Sequence, residues 1–410
     1  MAWLENSQVQ EVLNKLYDGT EYLNNESEKI ANNDTKNINS LYRLNNSEVY
    51  KRSASIEMVD EFIKDGWEVQ NETHGGKRVN LIQEKPDSVM FENKVWCMFY
   101  RVGIRYLNFD NQLKLPFGKN PQDHKQIDVF AVDTENKIVF LVECKSSENS
   151  KRKSFKTEIE SLDSMKLGFT KSIHQIFGDD FKVKLVFATK KYLLKSDDED
   201  AKRLKTSAIF HLNDNKVNYL NNILLNYASS AKYQFLGHIF KGEKINDDII
   251  KIPAIKGMMG DKEYYMFSLE PSTLLQIGYV LHRVRANEDD SPTYQRMLVK
   301  SRLKNIGKYL DQGGKFFPNS VIINFKEAKT VKVLFKQGEN SADTNSNSRF
   351  GMIEIPMAFA IANIIDGQHR VYGYSASKYF KKDTVPVVAF KNMSTPEQLE
   401  MFIDVNQCLC

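Results

Sequence analysis

The chain has 410 residues, 41% of them hydrophobic and 27% charged, which is enough apolar material for a sizeable core and excludes wholesale disorder. The longest apolar run, Ile353 to Ile365, is interrupted by Glu354, Pro356 and Asn363. A membrane span needs about 20 nearly uncharged residues, so an integral membrane protein is excluded, and the first residues do not read as a secretory signal. Net charge is +4, but residues 1–75 carry 14 acidic against 7 basic residues, leaving +11 on the rest, a balance compatible with a polyanionic partner.

In chain order, residues 1–76 read as a helical leader. Leu4, Val9, Val12, Leu13 and Leu16 recur near a 3.6 period, as do Ile56, Val59, Phe62 and Ile63, around the Asn-rich stretch Asn24 to Asn46. Residues 77–230 read as α/β. Helices are predicted over Phe91 to Val102 and Phe155 to Phe177. Strands are predicted over Ile104 to Phe109, Ile127 to Val132, Lys137 to Lys145 and Lys182 to Ala188. Residues 231–263 read as a mixed connector, and residues 264–410 as a further α/β domain. Within it a helix is predicted over Leu303 to Leu310, and strands over Val321 to Phe325, Val331 to Phe335 and Ile361 to Ile365. The polar run Lys336 to Arg349 is an insertion. The four cysteines (Cys97, Cys144, Cys408 and Cys410) lack the paired spacing of a structural zinc site, and a reducing, cytoplasmic compartment is expected. His74, His124, His174, His211, His238 and His282 form no metal-ligand pair.

The segment from Gln126 to Ser147 carries the first chemistry. Two apolar strands flank a turn centred between Glu135 and Asn136, so paired positions sum to 271. Asp128 then faces Glu143 across the strands, and Lys145 shares that face. Two like charges held side by side are costly without a cation between them. Oxygen ligands suit Mg²⁺ or Mn²⁺, which would polarise a phosphodiester, with Lys145 orienting water or offsetting charge and Glu92 as an outer carboxylate. The plain alternative is a surface hairpin whose acids are paired by Lys145 and Lys137. Lys151, Arg152, Lys153 and Lys156 follow and are candidates for contacting a DNA backbone, since basic residues at a helix start oppose the helix dipole.

A helix bearing Glu92, a strand, QID with Asp128, LVECKSS with Glu143 and Lys145, then a helix and a strand: this order resembles the PD-(D/E)xK restriction-endonuclease-like family over roughly Asp87 to Thr189. The resemblance implies a mixed sheet flanked by helices. It also implies that Asp128, Glu143 and the Cys144 main-chain carbonyl ligate the metal, with Lys145 the catalytic lysine.

The second constellation is Asp366-Gly367-Gln368-His369-Arg370, entered by a strand and left by a helix predicted over Gln368 to Tyr379. Asp366 suits the N-cap, Gly367 permits close backbone approach, and Arg370 in the first turn would complete a phosphate cradle. The plain alternative is a capped helix with an exposed basic pair. The pentapeptide resembles the signature of the DGQHR domain family, found beside DNA sulfur-modification genes and related to ParB-like folds. Tyr294-Gln295-Arg296, Phe317 to Phe325, Val385 to Phe390 and Phe402 to Gln407 lie in family order. The resemblance implies a nucleoside triphosphate or phosphate site at Gly367, His369 and Arg370 with Arg296 as partner, and a domain shortened at its C-terminus.

Together these point to an α/β (α+β) protein: a helical leader, a restriction-endonuclease-like sheet and a ParB-like DGQHR domain. The expected function is a metal-dependent DNA endonuclease of a prokaryotic restriction or anti-phage defence system. Double-stranded DNA, a second copy of the chain and other defence proteins are its expected partners, with no membrane. A non-cleaving DNA-binding regulator and a DGQHR-centred nucleotide hydrolase are the alternatives.

Overall fold

Two apolar segments, Val129–Asp133 and Ile138–Lys151, pair antiparallel across the polar turn 134–137, where Lys137 adopts a left-handed φ of 55°. Every pair in this ladder, from Val129↔Val142 to Asp133↔Ile138, follows the expected 271 register. The computed structural model describes residues 3–16, 38–72, 75–110, 112–120, 122–195, 197–282, 295–313, 315–339 and 346–406. It is mixed α and β throughout and divides into two units, Met1–Val217 and Asn218–Cys410. His74, Tyr294, Gln407, Cys408, Cys410 and residues 340–345 of the expected insertion lie outside the described residues.

The first unit opens with α1 (Asn6–Leu13) and a helical stretch over 38–45. The spacing predicts a helical leader over residues 1–76, and the structure corrects this, placing strands within it. β1 (Val49–Ser55), α2 (Val59–Lys64), β2 (Glu68–Glu72) and β3 (Arg78–Glu84) follow, and the strands form an antiparallel sheet in the order β1-β3-β2. Its small core of Ala54, Phe62, Val79 and Leu81 leaves β2 wholly exposed, so these strands lack the alternation that would mark them. Then come α3 (Asp87–Val102), β4 (Tyr106–Leu107) and the hairpin β5 (Lys114–Pro116) and β6 (His124–Gln126). After these come β7 (Val129–Asp133), β8 (Ile138–Lys151), α4 (Lys156–Phe177), β9 (Lys182–Tyr192), α5 (Glu199–Thr206) and β10 (Phe210–Leu212).

A five-stranded sheet runs β10-β9-β8-β7-β4, parallel between β8, β9 and β10 and antiparallel at β7 and β4. β7 is buried along its whole length and β8 along its first half, because α4 covers one face and α3 the other. Phe130, Leu141 and Phe187 meet Ile159 and Phe169 on the α4 side. On the α3 side Phe99 meets Phe140 with ring centroids 5.0 Å apart. Each such fully buried ring contributes about 1.5–3 kcal/mol.

The helix α6 (Asp214–Asn226) contains the boundary. In the second unit the segment predicted as a connector, 231–263, builds α7 (Ala231–Ile239), β11 (Lys244–Met259) and the start of β12 (Lys262–Leu269). β11 is largely exposed and contains Pro253, so neither a hydrophobic face nor an uninterrupted strand pattern advertises it. There follow α8 (Pro271–Ile277), β13 (Gly278–Tyr279), α9 (Lys300–Asp311), β14 (Val321–Phe325), β15 (Leu334–Gln337), β16 (Arg349–Ala358) and β17 (Ala362–Asp366). α10 (Gln368–Tyr374), β18 (Val385–Lys391) and α11 (Thr395–Asn406) close it. One mixed eight-stranded sheet runs β13-β17-β14-β18-β12-β11-β16-β15. β17 lies between parallel β13 and antiparallel β14, buried from Ala362 to Ile365, and delivers Asp366 to its carboxyl end.

Candidate active site

Asp128 sits one residue before β7, where the 271 register places it opposite Glu143. Its Oδ2 accepts a hydrogen bond from the Cys144 N–H at 2.7 Å. The N–H and C=O of one strand residue leave on the same edge, so the Cys144 carbonyl faces this side too. The Glu143 carboxylate is gripped at both oxygens: Lys145 Nζ donates to Oε1 at 2.6 Å, and Lys125 Nζ lies 2.9 Å from Oε2. Glu92, on α3, is electrostatically coupled to Asp128, Glu143 and Lys145. The structure therefore brings all four sequence-predicted residues to one end of the sheet. It adds Lys125, which no sequence pattern marks because it lies on a short hairpin strand outside the β7–β8 pair. Thr189, fully buried, pairs with Lys145 in the β8–β9 ladder and hydrogen-bonds His211 Nε2 at 2.9 Å. Burial, then the Lys216 charge, lowers the His211 imidazole to about 4.

Burial and like charge act together on these carboxylates. Burial first, then the Glu143 charge, pushes Asp128 up to about 6, against the Cys144 N–H and the two lysines. Burial, then the Asp128 charge, pushes Glu92 up to about 7. Burial works against the Lys145 ammonium, but its hydrogen bond to Glu143 and the charges of Glu143, Asp128 and Glu158 hold its pKa above the ordinary lysine value. A divalent cation beside these carboxylates would favour their ionised forms, opposing both causes. Among the described residues no three His, Cys, Asp or Glu side chains converge on one point. The groups that could meet a cation here are the Asp128 and Glu143 carboxylates and the Cys144 carbonyl.

These raised values set a pH dependence. For an acid whose folded pKa exceeds its free one, the contribution to stability is present below the free value and is lost as pH rises through the folded value. The metal-free protein should lose stability between about pH 4 and about pH 7 as Asp128 and Glu92 ionise. Asp128→Asn keeps an acceptor for the Cys144 N–H and removes the charge. In EDTA at pH 8 it should raise Tm by about 2–4 °C, and at pH 4 it should not. Equal Tm changes at both pH values in thermal melts would refute the electrostatic reading.

The basic run after β8 is less available than its sequence suggests. Lys151 ends β8 and lies over the Tyr192 ring, and Arg152 is exposed. Lys153 Nζ pairs with Glu158 Oε1 at 3.0 Å, and Lys156 Nζ lies 4.0 Å from Glu160 Oε1. These acids supply a local reason for lysines at the start of α4, beside any role toward DNA.

At the end of β17 the N-cap of α10 is Gly367, not Asp366 as predicted. Gly367 has φ 91° and ψ 6°, the left-handed region that favours glycine, and the helix ends at Tyr374 rather than Tyr379. Asp366 instead accepts from Arg370 Nη2 at 2.8 Å, while Nη1 donates to the Asn319 carbonyl at 2.5 Å. The guanidinium fork is thus already engaged. Burial, then the Arg302 charge, lowers the His369 imidazole to about 4 against the pull of Asp366. Arg296, Arg302, Asp366, Gly367, Gln368, His369 and Arg370 line one cavity of about 1030 Å³. Gln295 and Gln368 line it too, and the Oε1 atom of each is buried without a hydrogen-bond partner. Gln295 Nε2 donates to the carbonyls of Ile364 and Ile365, which fixes its Oε1 as an acceptor. Gln295 enters the sequence reading only as a neighbour of Arg296 in the family order, with no role, and Arg302 does not enter it, since no motif marks it.

None of the curated proteins compared matches the chain. Among solved structures it is similar to Can2 from Sulfobacillus thermosulfidooxidans, determined in complex with cyclic tetra-adenylate, at 18% identity and a TM-score of 0.22. That match covers 47% of this chain and 52% of Can2, so the chain spans about half the length of that protein, and a likeness of this size supports no inference. Residues 252–409 match the family described as DndB, DNA-sulfur modification-associated. The DndB-like region lies within the second unit, includes the DGQHR turn, and associates that part of the chain with DNA modification.

Proposed function

We propose that the chain is a metal-dependent DNA endonuclease of a DNA-modification or anti-phage defence system, its first unit cutting DNA and its second sensing a nucleotide or nucleic acid. The observation that carries this is the placement of Asp128, Glu143 and Lys145 on one sheet face, with Glu92 in electrostatic reach. Asp128, Glu143 and the Cys144 carbonyl hold Mg²⁺ or Mn²⁺. When bound, the cation supplies Lewis-acid polarisation of a phosphodiester and a low-pKa water. Lys145 donates toward the reacting phosphate, where charge grows in the transition state. Glu92, within electrostatic reach of Asp128 and Glu143, serves as an outer carboxylate of the site. The DndB-like region favours a second reading, a non-cleaving DNA-binding regulator. Incubating duplex DNA with Mg²⁺ or Mn²⁺, with EDTA as control, separates the two. Binding without cleavage in every condition supports the regulator.

For the second unit, the cavity beside the DGQHR turn supports a nucleotide site. Three arginines suit phosphates, and the unpartnered Gln295 and Gln368 oxygens suit N–H donors of a base. Arg370→Ala should weaken nucleotide binding about tenfold or more, and Arg370→Lys should restore only part of it, because lysine keeps the charge but cannot hold Asp366 and the Asn319 carbonyl together. Isothermal titration with ATP, GTP and CTP is the check. If wild type binds none of them and Arg370→Ala leaves DNA binding unchanged, the turn is a structural element alone.

A further inference from the structure

Both oxygens of the Glu143 carboxylate already hold an ammonium group. Oε1 takes Lys145 and Oε2 takes Lys125, and the carboxylate is only 11% exposed. Each oxygen keeps a further lone pair, but a divalent cation brought to this carboxylate is repelled by both ammonium groups, and the more movable one relieves the repulsion by leaving. The two are not equivalent. Lys145 leaves the same strand and face as Glu143, and Glu143, Asp128 and Glu158 all favour its charge there. Lys125 arrives from a separate two-stranded sheet, β5–β6, anchored by the fully buried Leu115 that pairs with it. It also acts on Asp128, the other expected ligand. Its ammonium thus contacts Glu143 directly and acts on Asp128 through charge, on a flexible four-carbon stem that lets it move aside.

We propose that Lys125 is the placeholder for the catalytic cation: it neutralises Glu143 in the metal-free protein, yields to the metal, and then contacts a backbone phosphate of the bound DNA. This inference rests on the metal-site reading above. It makes metal and DNA binding cooperative. Metal alone must displace a lysine that has nowhere better to go, whereas in the complex a phosphate receives it. Because coupling is reciprocal, DNA tightens metal binding and metal tightens DNA binding by the same factor.

The test uses the full chain and two titrations: Mn²⁺ without DNA by calorimetry, and duplex DNA with and without Ca²⁺, which replaces the catalytic metal while slowing turnover. Lys125→Met should bind Mn²⁺ about tenfold more tightly than wild type, about 1.4 kcal/mol, and should lose most of the Ca²⁺-dependent gain in DNA affinity. Lys125→Arg, which keeps the charge, should behave more like wild type, and Lys125→Gln repeats the measurement should Lys125→Met melt early. Tighter Mn²⁺ binding with the metal–DNA coupling intact would mean a through-space charge effect and would overturn the placeholder role. Equal or weaker Mn²⁺ binding by the variant would overturn it as well, leaving the metal site standing. Absence of Mn²⁺ binding in wild type and variants alike would overturn both.

Discussion

Lys145→Ala should lower DNA cleavage about 10²–10⁴-fold while duplex affinity changes by less than about threefold. The lysine is held against Glu143 at 2.6 Å on the reacting face, and its ammonium does most where charge accumulates, in the transition state. Much of its present role is to neutralise Glu143, so the variant should also bind metal at least as well as wild type. Rate constants from single-turnover cleavage and affinities from filter binding separate these effects. Parallel losses of binding and cleavage would make Lys145 a phosphate-contact or folding residue instead.

Gly367→Ala should cost the second unit about 1–3 kcal/mol, a Tm loss of a few degrees. At φ 91° an alanine is strained, and its Cβ would meet Arg370 Nη2 at 3.1 Å and Val321 Cγ2 at 3.2 Å. The Arg370 side chain can shift and Val321 in β14 cannot, so the strain moves the turn that joins β17 to the cavity. Nucleotide binding should fall with stability. Thermal melts and titration of one sample provide both readings, and an unchanged Tm would show that the turn tolerates a side chain.

What was legible in the sequence follows burial. β7 and β8 are buried on both faces, so their apolar runs stand out, and a four-residue polar turn fixed their register and with it the pairing of Asp128 with Glu143. Val321 to Phe325 is buried within the larger sheet and was placed to the residue. Elements that bury little left no such pattern: β2 is exposed throughout and β11 nearly so, and both were missed. Within the sites, strand alternation identified the groups on β8 but could not see Lys125, brought to Glu143 by a hairpin across the fold. Asp366 was misassigned as a cap because local propensity favours it there. The left-handed Gly367 takes that position, and the Asp366 carboxylate goes to Arg370.

The most direct test of the first unit as a metal-dependent nuclease is cleavage of duplex DNA by the full chain and by Asp128→Ala, each with Mn²⁺ and with EDTA. Wild type should cut in Mn²⁺ and stop in EDTA, and Asp128→Ala should cut about 10²-fold more slowly or not at all while still melting as a cooperatively folded chain. Cleavage that survives EDTA or the loss of the Asp128 carboxylate, or a wild-type chain that binds duplex DNA and leaves it intact in Mn²⁺, would contradict that assignment.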